Sequence, residues 1–123
     1  MIGENEALAD YLVRETPGFA ESPELGAVSS GRDRSDVVAE ALGRYLLRLE
    51  RKAVRREADP SESGALERAF EILEELAGSD DPEIREALVS AIFEPLHADD
   101  VVVAAVETRL GPHSRALFRR WAV

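Results

Sequence analysis

Apolar residues recur at intervals of three and four along most of this chain, and each run begins or ends at a capping signal. From Asn5 to Glu15, Leu8, Leu12 and Tyr11 share one face, and Pro17-Gly18 ends the run. Ser22-Pro23-Glu24 has the form of an N-cap followed by proline at the first helical position. It predicts a short turn of helix inside the long connection 17–34, tied to the core by Phe19, Leu25 and Val28. The longest run opens at Arg34 or Ser35 and extends to about Glu57. Val38, Leu42, Tyr45, Leu46, Leu49 and Ala53 keep to one stripe of it, while Arg44, Arg48, Arg51 and Arg55 repeat on the opposite side.

Asp59-Pro60-Ser61-Glu62 combines a capping box with proline at the first helical position, and predicts a third long helix to Ala77 with Gly78 as its cap. Leu66, Ala69, Phe70, Leu73, Leu76 and Ala77 form its inner stripe; Glu67, Glu71, Glu74 and Glu75 lie together on the other side. Asp81-Pro82 starts a fourth helix, apolar nearly all round from Ile84 to Leu96, with Glu83, Glu86, Ser90 and Glu94 as a narrow polar strip. Such a helix belongs at the centre of a bundle. Pro95 removes one backbone bond and should kink or loosen its last turn. Asp99 caps a fifth helix from Asp100 to Leu110, where a strand through Val101-Val102-Val103 is the competing reading. Gly111-Pro112 stops it and starts a last helix, in which Leu117, Phe118 and Trp121 pack while Arg115, Arg119 and Arg120 face out. The pattern predicts an all-α fold: one domain over residues 1–123, a compact bundle of five to six helices with room for HEAT-like helical hairpins.

Composition narrows the setting. The chain has 123 residues, 45% of them hydrophobic and 33% charged, and no apolar run reaches the ~20 residues of a membrane helix. Its first residues lack the basic-then-apolar order of a secretory signal, and it has no cysteine for disulfide or thiolate chemistry, so the cytoplasm is the expected compartment. The net charge of −10 is concentrated: residues 61–98 hold ten acids and two bases, whereas residues 31–60 hold six acids and eight bases. An acidic surface disfavours nucleic acid and anionic membranes and favours a basic protein partner.

The candidates for chemistry are few. His97 lies close to Asp99 and Asp100, and His113 follows the Gly111-Pro112 break, but a transition-metal site wants three or four ligands at defined spacing. Glu94, on an otherwise apolar helix, either acts as an acid or base in a cleft or pairs with an arginine such as Arg109 or Arg115; the structural role is favoured. Neither Ser90 nor Ser114 sits in a nucleophile elbow, and no glycine-rich phosphate loop is present. No enzyme activity, metal or cofactor is therefore expected, and an enzymatic or small-molecule-binding alternative would rest on Glu94 and His97 or His113. The arginine stripe either grips phosphate or RNA or faces Glu67, Glu71, Glu74 and Glu75 across a helix hairpin. The second is favoured, because the stripe lacks aromatics and is diluted by Asp36, Glu40 and Glu50. If those two helices are not neighbours, the acidic ridge is free to dock a basic partner.

Ser79-Asp80-Asp81-Pro82-Glu83-Ile84-Arg85-Glu86-Ala87-Leu88 resembles the start of a helix in HEAT-type repeats, although no second copy is present. The wider arrangement, Asp-Asp-Pro-Glu, then Phe93-Glu94-Pro95-Leu96, then Leu110-Gly111-Pro112-x-Ser114 and a late Trp121, is similar to an uncharacterised family of small bacterial helical proteins. Some members of that family look like immunity proteins for secreted toxins. The resemblance implies neutralisation of a basic toxin by binding, without catalysis. The expected contact surface is Glu67, Glu71, Glu74 and Glu75, extended by Glu83 and Glu86. The alternative is a HEAT-like scaffold or adaptor binding through an apolar groove floored by Phe93, Trp121 and the helix kinked at Pro95.

Overall fold

Capping chemistry decides where the helices begin. The computed structural model describes residues 7–28 and 35–122, with side chains up to Arg120. Helix α1 is Leu8–Glu15, α2 is Pro23–Gly26, α3 is Ser35–Val54, α4 is Pro60–Ala77, α5 is Pro82–Ala87, α6 is Phe93–Leu96, α7 is Asp100–Glu107 and α8 is Pro112–Phe118. A π turn, Leu88–Ile92, links α5 to α6, and a 3-10 turn, Arg119–Ala122, follows α8. Each expected cap is made. Ser22 Oγ accepts from Leu25 N at 3.2 Å, Asp81 from Glu83 N at 2.9 Å and Asp99 from Val101 N at 3.0 Å. At α4 the box is reciprocal: Asp59 accepts from Glu62 N at 2.8 Å, and Glu62 from Asp59 N at 3.1 Å. Among the described residues there is no strand, so the valine run 101–103 is helical. The expected residues 5, 6 and 34 lie outside the described ones.

Helix α3 is the hub: it touches α1, α2, α4, the π turn, α6 and α7. The expected central helix is split. Leu88, Val89, Ala91, Ile92, Phe93 and Leu96 are buried, whereas Ile84 and Ala87 are only half-buried. Pro95 explains the split, since it cannot donate to the carbonyl four residues back and its ring crowds that carbonyl. The disturbance is resolved upstream as a π turn, with Phe93 N bonded to Leu88 O. That division raises the helix count above five to six. Gly43 of α3 receives the distorted stretch. A Cβ there would meet Pro95 Cγ at 2.9 Å and Ala91 O at 3.1 Å, and Ile92 O closer still.

The connection after α1 is pinned to α3. Tyr45 Oη donates to Pro17 O at 2.9 Å, and Phe19, fully buried, meets the Tyr45 ring at 5.7 Å between centroids. Gly18, at φ 78°, lies so near the Tyr45 hydroxyl that a Cβ would sit 2.5 Å from it. Helix α3 ends three residues earlier than expected: Arg56 takes φ 61°, and Glu57 N turns back to Lys52 O at 2.8 Å. No helix among the described residues is long and apolar enough to cross a membrane.

Candidate functional site

The arginine stripe of α3 does not face the acidic ridge of α4. Arg44 pairs with Glu40 on its own helix, Arg48 donates to Glu24 of α2 at 2.8 and 3.1 Å, and Arg51 lies 3.5 Å from Asp99 at the start of α7. Lys52, outside the stripe, meets Glu62 at 2.6 Å. Helices α3 and α4 are neighbours, as expected, but α4 turns its inner stripe to the core and also packs on α8, and among the described residues no arginine of α3 pairs with Glu67, Glu71, Glu74 or Glu75.

The ridge forms one wall of an open cleft of about 630 Å³ between α4 and the segment joining α7 to α8. Glu67, Glu71, Glu74 and Glu75 line it, Phe70 contributes from the core side, and Thr108, Arg109 and Gly111 form the opposite wall. Glu67, Glu71 and Glu75 are exposed. Glu67 and Glu75 make no ion pair among the described residues, and Glu71 has only an exposed contact with Arg68 at 3.4 Å. Arg68 also reaches Glu15 of α1 at 3.1 Å.

Glu74 is different from its neighbours. Its Oε1 accepts from Ser114 N at 2.9 Å and from Ser114 Oγ at 2.7 Å, while Oε2 accepts from His113 N at 3.1 Å. The carboxylate therefore caps the first turn of α8 from another helix. Burial raises its pKa, but the bonds from Ser114 and His113 outweigh that and hold it below the usual carboxylate range. Ser114 is fully buried and also accepts from Gly111 N at 3.2 Å. A Cβ on Gly111 would stand 2.5 Å from Glu74 Cδ. The Leu-Gly-Pro-x-Ser element thus has a local physical reason: glycine admits the carboxylate, proline starts the helix and serine completes the cap. As a docking residue Glu74 is already half spent. Glu83 and Glu86 are exposed on α5, away from the cleft lining, and Glu86 lies 3.5 Å from Arg120.

The buried carboxylate is Glu50, with no exposed surface. Arg109 Nε donates to both of its oxygens, at 3.0 and 2.9 Å. Burial raises the Glu50 pKa, and Arg109 only partly offsets it. The expected pairing of Glu94 is corrected accordingly: Glu94 is exposed, Arg109 is taken by Glu50, and Arg115 lies 3.6 Å from Glu107 while capping the carbonyls of Glu107 and Leu110. In the sequence Glu50 stands among the arginines of the stripe and dilutes its charge. Its spacing from Leu46 and Leu49 was the available signal, because it falls on the apolar face.

His97 stacks on Phe118 at 4.0 Å and 25°, and its Nε2 donates to Phe118 O at 3.2 Å. Burial pushes its pKa below 6.5. Phe93 is fully buried and meets Phe118 edge-on at 5.3 Å, so it does not floor an open groove; the Trp121 side chain lies outside the described ones. Among the described residues no three His, Asp or Glu side chains gather as a metal site. No protein-family model, curated protein or solved structure matches the chain.

Proposed function

We propose that this chain is a protein-binding module that receives a basic partner on the ridge of α4. The observation that supports it is the exposure of Glu67, Glu71 and Glu75 along one cleft while Arg44, Arg48 and Arg51 of α3 are engaged elsewhere. Unneutralised charge on one wall creates a field that steers a basic surface towards it, raising the rate of encounter more than the final affinity. Glu83 and Glu86 extend the acidic surface from α5, which packs on α4. Neutralisation of a basic toxin in the cytoplasm is the specific form of this reading, supported by the resemblance that Asp80-Asp81-Pro82-Glu83, Phe93-Glu94-Pro95-Leu96, Leu110-Gly111-Pro112-x-Ser114 and Trp121 carry to a family with immunity-like members. It assigns no catalytic step to any residue.

The test is capture from a lysate of the source cells on the immobilised protein, in parallel with the E67Q/E71Q/E75Q variant, at low and high salt. A basic protein held by the unmodified chain, released by salt and absent from the variant is the expected result. Equal retention by both would overturn the reading.

A further inference from the structure

Arg109 occupies the wall of the cleft that faces the acidic ridge, yet it makes no ion pair with Glu67, Glu71, Glu74 or Glu75. Among the described residues its only ion pair is with Glu50 of α3. The Nε–H is shared between the two Glu50 oxygens, and the Nη groups make no hydrogen bond among the described residues. A guanidinium with unused donors beside four carboxylates would ordinarily turn to them. What prevents this is the cost of leaving Glu50 behind: a carboxylate with no exposed surface loses its one cationic partner.

We infer that Glu50 is a positioning residue for the docking face: by holding Arg109 as its counter-ion, it keeps the ridge from being neutralised within the chain. The inference rests on the reading of that ridge as the contact surface for a basic partner, and it adds a residue that touches no partner. Glu50 sets how much negative charge the cleft presents, because the ridge retains the charge that Arg109 would otherwise cancel. It also accounts for a buried carboxylate in a place where an apolar side chain of similar volume would fit the stripe of α3.

The test compares the unmodified protein with Glu50→Gln, Glu50→Met and the double variant E50Q/R109Q, each checked for folding by circular dichroism. Glu50→Met keeps the question answerable if the amide is not tolerated, since Glu50 is fully buried and among the described residues Arg109 is the one side chain that hydrogen-bonds it. Two readouts are used. Nuclear Overhauser contacts between Arg109 Hδ and the Hγ protons of Glu67 or Glu71 are expected to appear on removal of the Glu50 charge. Binding of a decalysine peptide at low salt is expected to weaken about threefold to fivefold in the single variants, the effect of one exposed ion pair, and to return in E50Q/R109Q. Unchanged Arg109 contacts and unchanged decalysine binding in folded Glu50 variants would overturn the inference. If decalysine does not bind the unmodified protein, the proposed function fails, and the Overhauser contacts still decide where Arg109 goes.

Discussion

Gly43→Ala is expected to destabilise the fold, and Gly64→Ala to stabilise it, although both replace a helical glycine with a better helix former. Gly43 lies in the middle of α3, where a Cβ would stand 2.9 Å from Pro95 Cγ, 3.1 Å from Ala91 O and closer still to Ile92 O. Two of these three atoms are backbone, so no side-chain rotation relieves the clash, and the π turn with α6 must move off α3. Overpacking a core costs about 1–3 kcal/mol, and rigid neighbours place this site at the upper end. The gain in helix propensity is about 1 kcal/mol, leaving a net loss of about 2 kcal/mol. Gly64 has nothing within 4 Å of the added methyl, so only the gain of about 0.5–1 kcal/mol remains. Urea unfolding followed by far-ultraviolet circular dichroism measures both, and an unchanged m-value shows that the midpoint reports stability. In thermal unfolding each kcal/mol corresponds to roughly 4 °C. If Gly43→Ala matched or exceeded the unmodified protein, the close seating of the π turn on α3 would be refuted.

Other perturbations probe separate contacts. Glu74→Gln is expected to cost about 1.5–3 kcal/mol, the value of hydrogen bonds to a charged acceptor, with loss of amide protection in α8 by hydrogen exchange. Because the folded pKa of Glu74 is lowered, its contribution is present above the unfolded value of 4.5 and lost as pH falls through the folded one, so the two proteins should converge in acid. Arg56→Gly is expected to stabilise by about 1 kcal/mol in the same urea assay, since Arg56 caps α3 at φ 61°, where glycine carries no Cβ penalty. His97, held neutral against Phe118, should make stability fall as pH drops below 6.5, because the unfolded chain takes up the proton first; His97→Gln should flatten that slope between pH 7 and 5.

The parts of the fold legible in the sequence were those with local causes. Ser22, Asp59, Asp81 and Asp99 signal helix starts through their own side chains, and each makes the bond that its type and position imply. The inner stripe of α4 was equally legible, since Leu66, Ala69, Phe70, Leu73, Leu76 and Ala77 are all buried. What escaped depends on which surfaces meet. Nothing in the sequence separates Glu74 from Glu71 or Glu75, because the feature that distinguishes it, the start of α8, lies about forty residues away. Pro95 announced a distortion but not that the π turn would form upstream at Leu88–Ile92, where Gly43 gives it room. The arginines of α3 were assigned the wrong partners for the same reason: charge patterns show that a pairing is available, and packing decides with whom.

The most direct test of the docking face is the association rate of the captured basic protein with the purified chain, measured by stopped flow across ionic strength, for the unmodified protein and E67Q/E71Q/E75Q. Expected is a rate that falls at least about tenfold between low and high salt for the unmodified chain, and a slower, nearly salt-independent rate for the variant. Identical rates and identical salt dependence for the two proteins would contradict the assignment of the α4 ridge as the contact surface.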